Sequence, residues 1–212
     1  MDIIWLCLLI PLIIGVFLLI KPFGRDERAE KITAAIAIAA LATTLLVSAI
    51  AVVQFARGEE VCGTVWSLTD RLSISFRLDS LGAFFLAFIP LVFLLSGIFS
   101  LEYLHHDQKK IRFWGFYLLT LSALQGLTFA GNLVTMYLFF EMMTLVSLPL
   151  VLHIQTHESV IAGVKYLAYS MAGAYMALFG IFVMYYMGTD LSFTPGGVID
   201  AAAIAKNPVL FL

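Results

Sequence analysis

Residues 132–153 read "NLVTMYLFFEMMTLVSLPLVLH", an otherwise uncharged apolar segment with one carboxylate, Glu141, in its middle. About 20 residues rising about 1.5 Å each cross the hydrocarbon core of a bilayer, so the stretch has the length of a membrane span. Glu141 then lies about 12 Å from the outer end of the helix and about 18 Å from His153 at the inner end. A carboxyl at that depth is costly against lipid, and it is expected to face the interior of a bundle or a wet cavity.

The neighbours agree. At helical spacing Tyr137 precedes Glu141 by one turn and Thr144 follows it by one, drawing a polar stripe flanked by Leu138, Leu145 and Leu148. Pro149 has no N–H to donate, which deprives the Leu145 carbonyl of its usual partner and predicts a helix break there, tolerated where water or a side chain serves that carbonyl. Two readings of Glu141 follow: a group in an ion or proton path, or a protonated structural acid tying two helices together.

The rest of the chain fits the same setting. Of 212 residues, 62% are apolar and 12% charged, about half the charged fraction of a soluble domain. Apolar runs predict spans over residues 3–20, 32–56, 81–101, 113–130, 133–153 and 160–187, with a seventh starting near 209. The first is read as a helix and not a cleavable signal, because its leader carries Asp2 in place of a basic cluster and no small-residue cleavage site follows.

Basic residues crowd the first loop (Lys21, Arg25, Arg28, Lys31) and the third (Lys109, Lys110, Arg112) and are sparse in the second and fourth. The positive-inside rule then places the N-terminus outside. The net charge of −2 gives no basic stripe for nucleic acid. Cys7 and Cys62 are expected to be unbonded, and their spacing suits no zinc, iron–sulfur or haem site, so neither a metal nor a cofactor is expected. His105, His106 and Asp107 lack a further ligand. In the second loop, "RLSISFRLD" alternates Leu72, Ile74, Phe76 and Leu78 with polar residues, predicting a short strand or hairpin that packs as a lid on the outer helix ends.

Three further polar groups are candidates for the ion path. Lys165 lies about 8 Å inside the membrane from the cytoplasmic end of its span, about 10 Å short of Glu141, so it meets the carboxyl through water or snorkels to the interface. Gln125 is a polar side chain inside the fourth span. His153, with His157, flanks the inner turn, where a titrating imidazole suits proton uptake and a solvated one does nothing. Ser170, Gly173, Ala177 and Gly180 form a smooth stripe expected to let another helix approach closely.

"NLVTMYLFFEMMTLVSLPLVL", followed by "ESVIAGVKYLAYSMAGAYMALFGIFVMYYMGTDLSF", resembles the antiporter-like membrane subunits shared by respiratory complex I, multisubunit Na+/H+ antiporters and membrane-bound energy-converting hydrogenases. "FRLDSLGAFFL", residues 76–86, is similar to that family's approach to its third helix.

The resemblance implies an all-α polytopic fold with about six membrane helices. Residues 1–112 would hold three introductory helices, 113–187 the first three helices of an incomplete inverted repeat, and 188–212 a loop and the start of a seventh helix. It implies that Glu141 matches the family's fifth-helix glutamate and Lys165 the lysine of a Lys-Tyr motif, while the central lysine of the seventh helix has no counterpart.

The implied role is a non-catalytic subunit, or the N-terminal part of one, moving H+ or Na+ in an NADH-quinone oxidoreductase-like or hydrogenase-like complex of a respiratory chain. Its expected setting is a prokaryotic inner membrane, beside other membrane subunits and, indirectly, peripheral redox subunits. The alternatives are a non-transporting scaffold for a peripheral redox arm and a subunit of a multisubunit Na+/H+ antiporter.

Overall fold

The structure, a computed structural model, describes residues 2–20, 27–69, 72–103, 110–186 and 191–194. Six helices occur in chain order: α1 (Asp2–Ile20), α2 (Glu27–Ala56), α3 (Ser80–Tyr103), α4 (Lys110–Thr128), α5 (Leu133–Val151) and α6 (His157–Tyr186). Between α2 and α3 the strands β1 (Cys62–Thr69) and β2 (Leu72–Arg77) pair antiparallel. The fold is therefore the expected all-α membrane bundle with a hairpin in the second loop. The expected seventh span and the His105–His106–Asp107 group lie outside the described residues.

α4 is the hub, packed against α1, α2, α3 and α5. Its contact with α1 is closest where two glycines meet: a Cβ on Gly15 would stand 2.9 Å from the Gly115 carbonyl, and one on Gly115 would stand 2.6 Å from the Leu19 side chain. Trp114, Leu118 and Leu121 fill the inner half of the core with Leu18, Ala37 and Leu41. Among the described residues, five helices are long and apolar enough to cross a membrane by themselves, and α4 is not among them. Tyr117, Thr120, Ser122 and Gln125 lower its apolarity, and all four are buried against protein, where lipid solubility is not required.

The two ends of the bundle differ. At the end where α1 stops, Lys110 on α4 pairs with Glu30 on α2 at 2.7 Å. At the end where α1 begins, Trp5 meets Phe76 edge to face and Phe76 also packs on Phe139. Phe76 and Leu78 bury into the outer core with Ile4, Leu86 and Phe129, so the alternation of the loop is spent on covering the helix ends. The backbone ties this lid down: Arg77 N donates to Phe129 O at 2.7 Å and Gly131 N to Ser75 O at 2.9 Å. Residues 191–194 return to the same layer, where Leu133 N donates to Leu191 O at 2.9 Å.

Candidate functional site

α5, which carries Glu141, is fixed at both ends. Asn132 caps it: Oδ1 accepts from Thr135 N at 2.8 Å, while Nδ2 donates to Ser73 O at 2.7 Å and Ser75 Oγ at 2.8 Å. One side chain thus starts the helix and holds the hairpin. At the other end Arg112, in the first turn of α4, donates to His153 O at 3.0 Å and Leu152 O at 3.4 Å. A guanidinium there satisfies carbonyls that a helix C-terminus leaves open and opposes its partial negative charge. His153 packs edge to face on Phe113, with ring centres 5.6 Å apart.

α5 continues through Pro149 to Val151. The expected break at the proline is not present, because in the last turn of a helix a missing amide costs a single bond and leaves little helix to redirect.

Glu141 lies two turns inside α5 and is half-buried, and its Oε1 is enclosed without a hydrogen-bond partner. Tyr137, half-buried, is close enough to bond the carboxyl. One turn further in, the buried Thr144 hydroxyl stands 3.0 Å from Ser170 Oγ of α6 and 3.2 Å from its own Phe140 O. One more turn in, Ser147 Oγ stands 2.8 Å from the Tyr166 hydroxyl and 3.2 Å from Thr144 O. Tyr137, Glu141, Thr144 and Ser147 therefore form a polar ribbon along the face of α5 that meets α6.

Two expected site residues lie elsewhere. Gln125 is fully buried, and its Nε2 donates to Ser48 Oγ on α2 at 3.1 Å. Ser48 in turn reaches Cys7 Sγ on α1 at 3.8 Å, so this polar group belongs to the α1–α2–α4 contact. Lys165 is exposed, and no ion pair joins it to Glu141. The facing pairs 144/170 and 147/166 put Lys165 level with residues 148–149, about 11 Å along the axis from Glu141.

Along the small-residue stripe Ser170 meets α5, while the glycines stay open. Added Cβ atoms at Gly173 and Gly180 would meet nothing within 4 Å, and both glycines line an apolar groove of about 1180 Å³ between α3, α4, α5 and α6. The close approach to α5 occurs at Gly163, where a Cβ would stand 2.4 Å from the Leu152 side chain. Sequence reasoning also missed Ser147, Tyr166 and Ser170 as a polar seam, since no helical period links residues on two different helices. The cap at Asn132 was missed as well, although an Asn immediately before an apolar run is a signal for one.

The fold and this ribbon define a class: a polytopic helical membrane protein with an ionisable group inside a capped helix. Comparisons place it further. Residues 66–114 match the family described as NADH-Ubiquinone oxidoreductase (complex I), chain 5 N-terminus, and residues 130–210 match the family described as NADH:quinone oxidoreductase/Mrp antiporter, TM.

Among relatives, NAD(P)H-quinone oxidoreductase subunit 5 of the Piper cenocladum chloroplast is 27% identical over 198 residues, covering 89% of this chain and 27% of the relative. The Nephroselmis olivacea counterpart is 32% identical over 131 residues, 60% of this chain and 20% of the relative.

Two solved structures share the fold. A chain of the Mrp complex from a Dietzia species superposes with a TM-score of 0.75 at 20% identity, covering 99% of this chain and 40% of its own length. A chain of the membrane-bound sulfane sulfur reductase, an archaeal respiratory membrane complex, superposes with a TM-score of 0.74 at 19% identity, covering 88% and 38%. The chain belongs to the antiporter-like membrane subunit family, and it is an integral membrane protein. It spans about a quarter of the length of the curated relatives it matches.

Proposed function

We propose that this chain is an ion-translocating antiporter-like subunit, or the N-terminal part of one, in a membrane complex that couples redox chemistry on other subunits to movement of H+ or Na+. It would sit in a prokaryotic inner membrane with its N-terminus outside, beside other membrane subunits. The observation that carries the reading is the Glu141 carboxyl: two turns inside a capped membrane helix, with Oε1 enclosed and without a hydrogen-bond partner.

The chemistry follows from that placement. Burial favours the neutral acid and an approaching cation favours the carboxylate, so a charge that moves near Glu141 changes its protonation. Lys165 is the cation of α6 assigned to this role, with Tyr137 and Thr144 lining the carboxyl's approach and His153 at the inner end. On this reading residues 1–112 form the introductory helices and 113–187 the start of the transporting repeat.

The test is Glu141→Gln in the complete complex, assayed in sealed membrane vesicles. The expected outcome is normal assembly and redox turnover with ion movement reduced by an order of magnitude or more. Coupled pumping at the unmodified rate would overturn the proposal, and loss of assembly without a pumping defect in what does assemble would favour a scaffold.

A further inference from the structure

The seam between α5 and α6 has an unusual division of labour. α6 is 30 residues long, yet only Gly163 and Ala174 are buried. Apolar contact is non-directional, and a helix held by small and exposed residues can slide along its neighbour at little cost. Two directional contacts oppose sliding: Ser147 Oγ to Tyr166 OH at 2.8 Å and Thr144 Oγ1 to Ser170 Oγ at 3.0 Å.

The four hydroxyls are not equivalent. Thr144 and Ser147 each have a carbonyl of their own helix at 3.2 Å as a second partner, so either can be satisfied without α6. Ser170, one turn beyond Tyr166, has a short side chain of the kind that can bond back to its own helix. The Tyr166 phenol is too far from its own backbone to do so. Where water is scarce, its hydroxyl is satisfied opposite Ser147 and stranded when α6 shifts by a turn of about 5.4 Å toward Leu150 and Val151. Tyr166 also directly follows Lys165, so fixing the phenol fixes the backbone from which the ammonium extends.

We infer that Tyr166 and Ser170 are positioning residues for ion transfer: through Ser147 and Thr144 they set the register of α6 on α5, and thereby the distance between the Glu141 carboxyl and the Lys165 ammonium. The inference rests on the proposed role of Glu141 and Lys165. A slip of one turn would change their axial offset of about 11 Å by half. Tyr166 is the principal element and Ser170 the lesser one.

The experiment uses the complete complex in sealed vesicles and measures ions moved per redox turnover across a pH series. Four variants are compared: Tyr166→Phe, Lys165→Ala, the pair combined, and Glu141→Gln as reference. Tyr166→Phe keeps the ring and removes the hydroxyl. It is expected to lower transport several-fold and displace the pH profile, and to cause no further loss in the Lys165→Ala background, because the register acts through that lysine.

Transport and pH profile unchanged in Tyr166→Phe, with Glu141→Gln inactive, would overturn the positioning role and leave the Glu141 reading intact. Losses that multiply in the double variant would also overturn it. Full activity of Glu141→Gln would instead remove the underlying reading. Should Tyr166→Phe fail to assemble, Ser170→Ala decides: a smaller loss of transport with a displaced pH profile, absent in the Lys165→Ala background, supports the inference, and an unchanged rate and profile overturns it.

Discussion

α4 and α6 are both helices of one membrane bundle, and they solve opposite problems. α4 is enclosed by four other helices and carries Thr120, Ser122 and Gln125 in buried positions, whereas α6 shows Tyr169, Met176, Phe179 and Tyr186 on its surface. The helix at the centre is thus the less apolar one, and the helix at the edge satisfies the length and apolarity of a span. Apolarity in this protein reports what a helix does not yet touch. Burial is reported by small and polar residues that allow close approach, such as Gly115 and Gln125.

The sharpest way to break that comparison is to remove one aromatic side chain from each helix. Trp114 of α4 is 2% exposed and Tyr169 of α6 is 78% exposed. Trp114→Ala is expected to cost about 3–5 kcal/mol, since it leaves a cavity between α1, α2 and α4. Tyr169→Ala is expected to change the stability of the purified chain by about 0.5 kcal/mol or less. Thermal unfolding in detergent would show both, and equal shifts would end the distinction. Repeating Tyr169→Ala in the complete complex sharpens it, because a large effect there would mean that another protein surface covers this face.

A smaller effect is expected at Asn132, which belongs to the fixed side of the comparison. Asn132→Ala removes the cap of α5 and the bonds to Ser73 and Ser75, an expected loss of about 2 kcal/mol. Protease sensitivity of the hairpin should rise with the loss of melting temperature. A drop in melting temperature with the hairpin still protected would show that the cap acts on α5 alone.

How much of this was legible depends on where the information lies. The hairpin could be read because Leu72, Ile74, Phe76 and Leu78 alternate within one segment, and Phe76 and Leu78 are indeed buried. Helix bounds followed from apolar length. The seam of Thr144, Ser147, Tyr166 and Ser170 could not be read, because it depends on the axial register of α6 against α5. The stripe at Gly173 and Gly180 carries the same limit: small residues permit an approach without naming which helix makes it.

Gln125 gives the finest test, since sequence put it beside Glu141 as a polar group within a span. Both have an enclosed oxygen with no hydrogen-bond partner, Gln125 Oε1 and Glu141 Oε1. Only one of them carries a group whose charge can change. The Gln125 amide bonds Ser48 across the α2–α4 contact, and replacing it by a shape-matched apolar residue removes one hydrogen bond together with one unsatisfied acceptor. These terms oppose each other, so Gln125→Leu is expected to alter stability by less than about 1 kcal/mol in either direction. Ion movement per turnover should stay at the unmodified level. A transport defect in a stably assembled Gln125→Leu complex would extend the polar path from α5 into the heart of the bundle, and α4 would then be part of the transport machinery as well as its support.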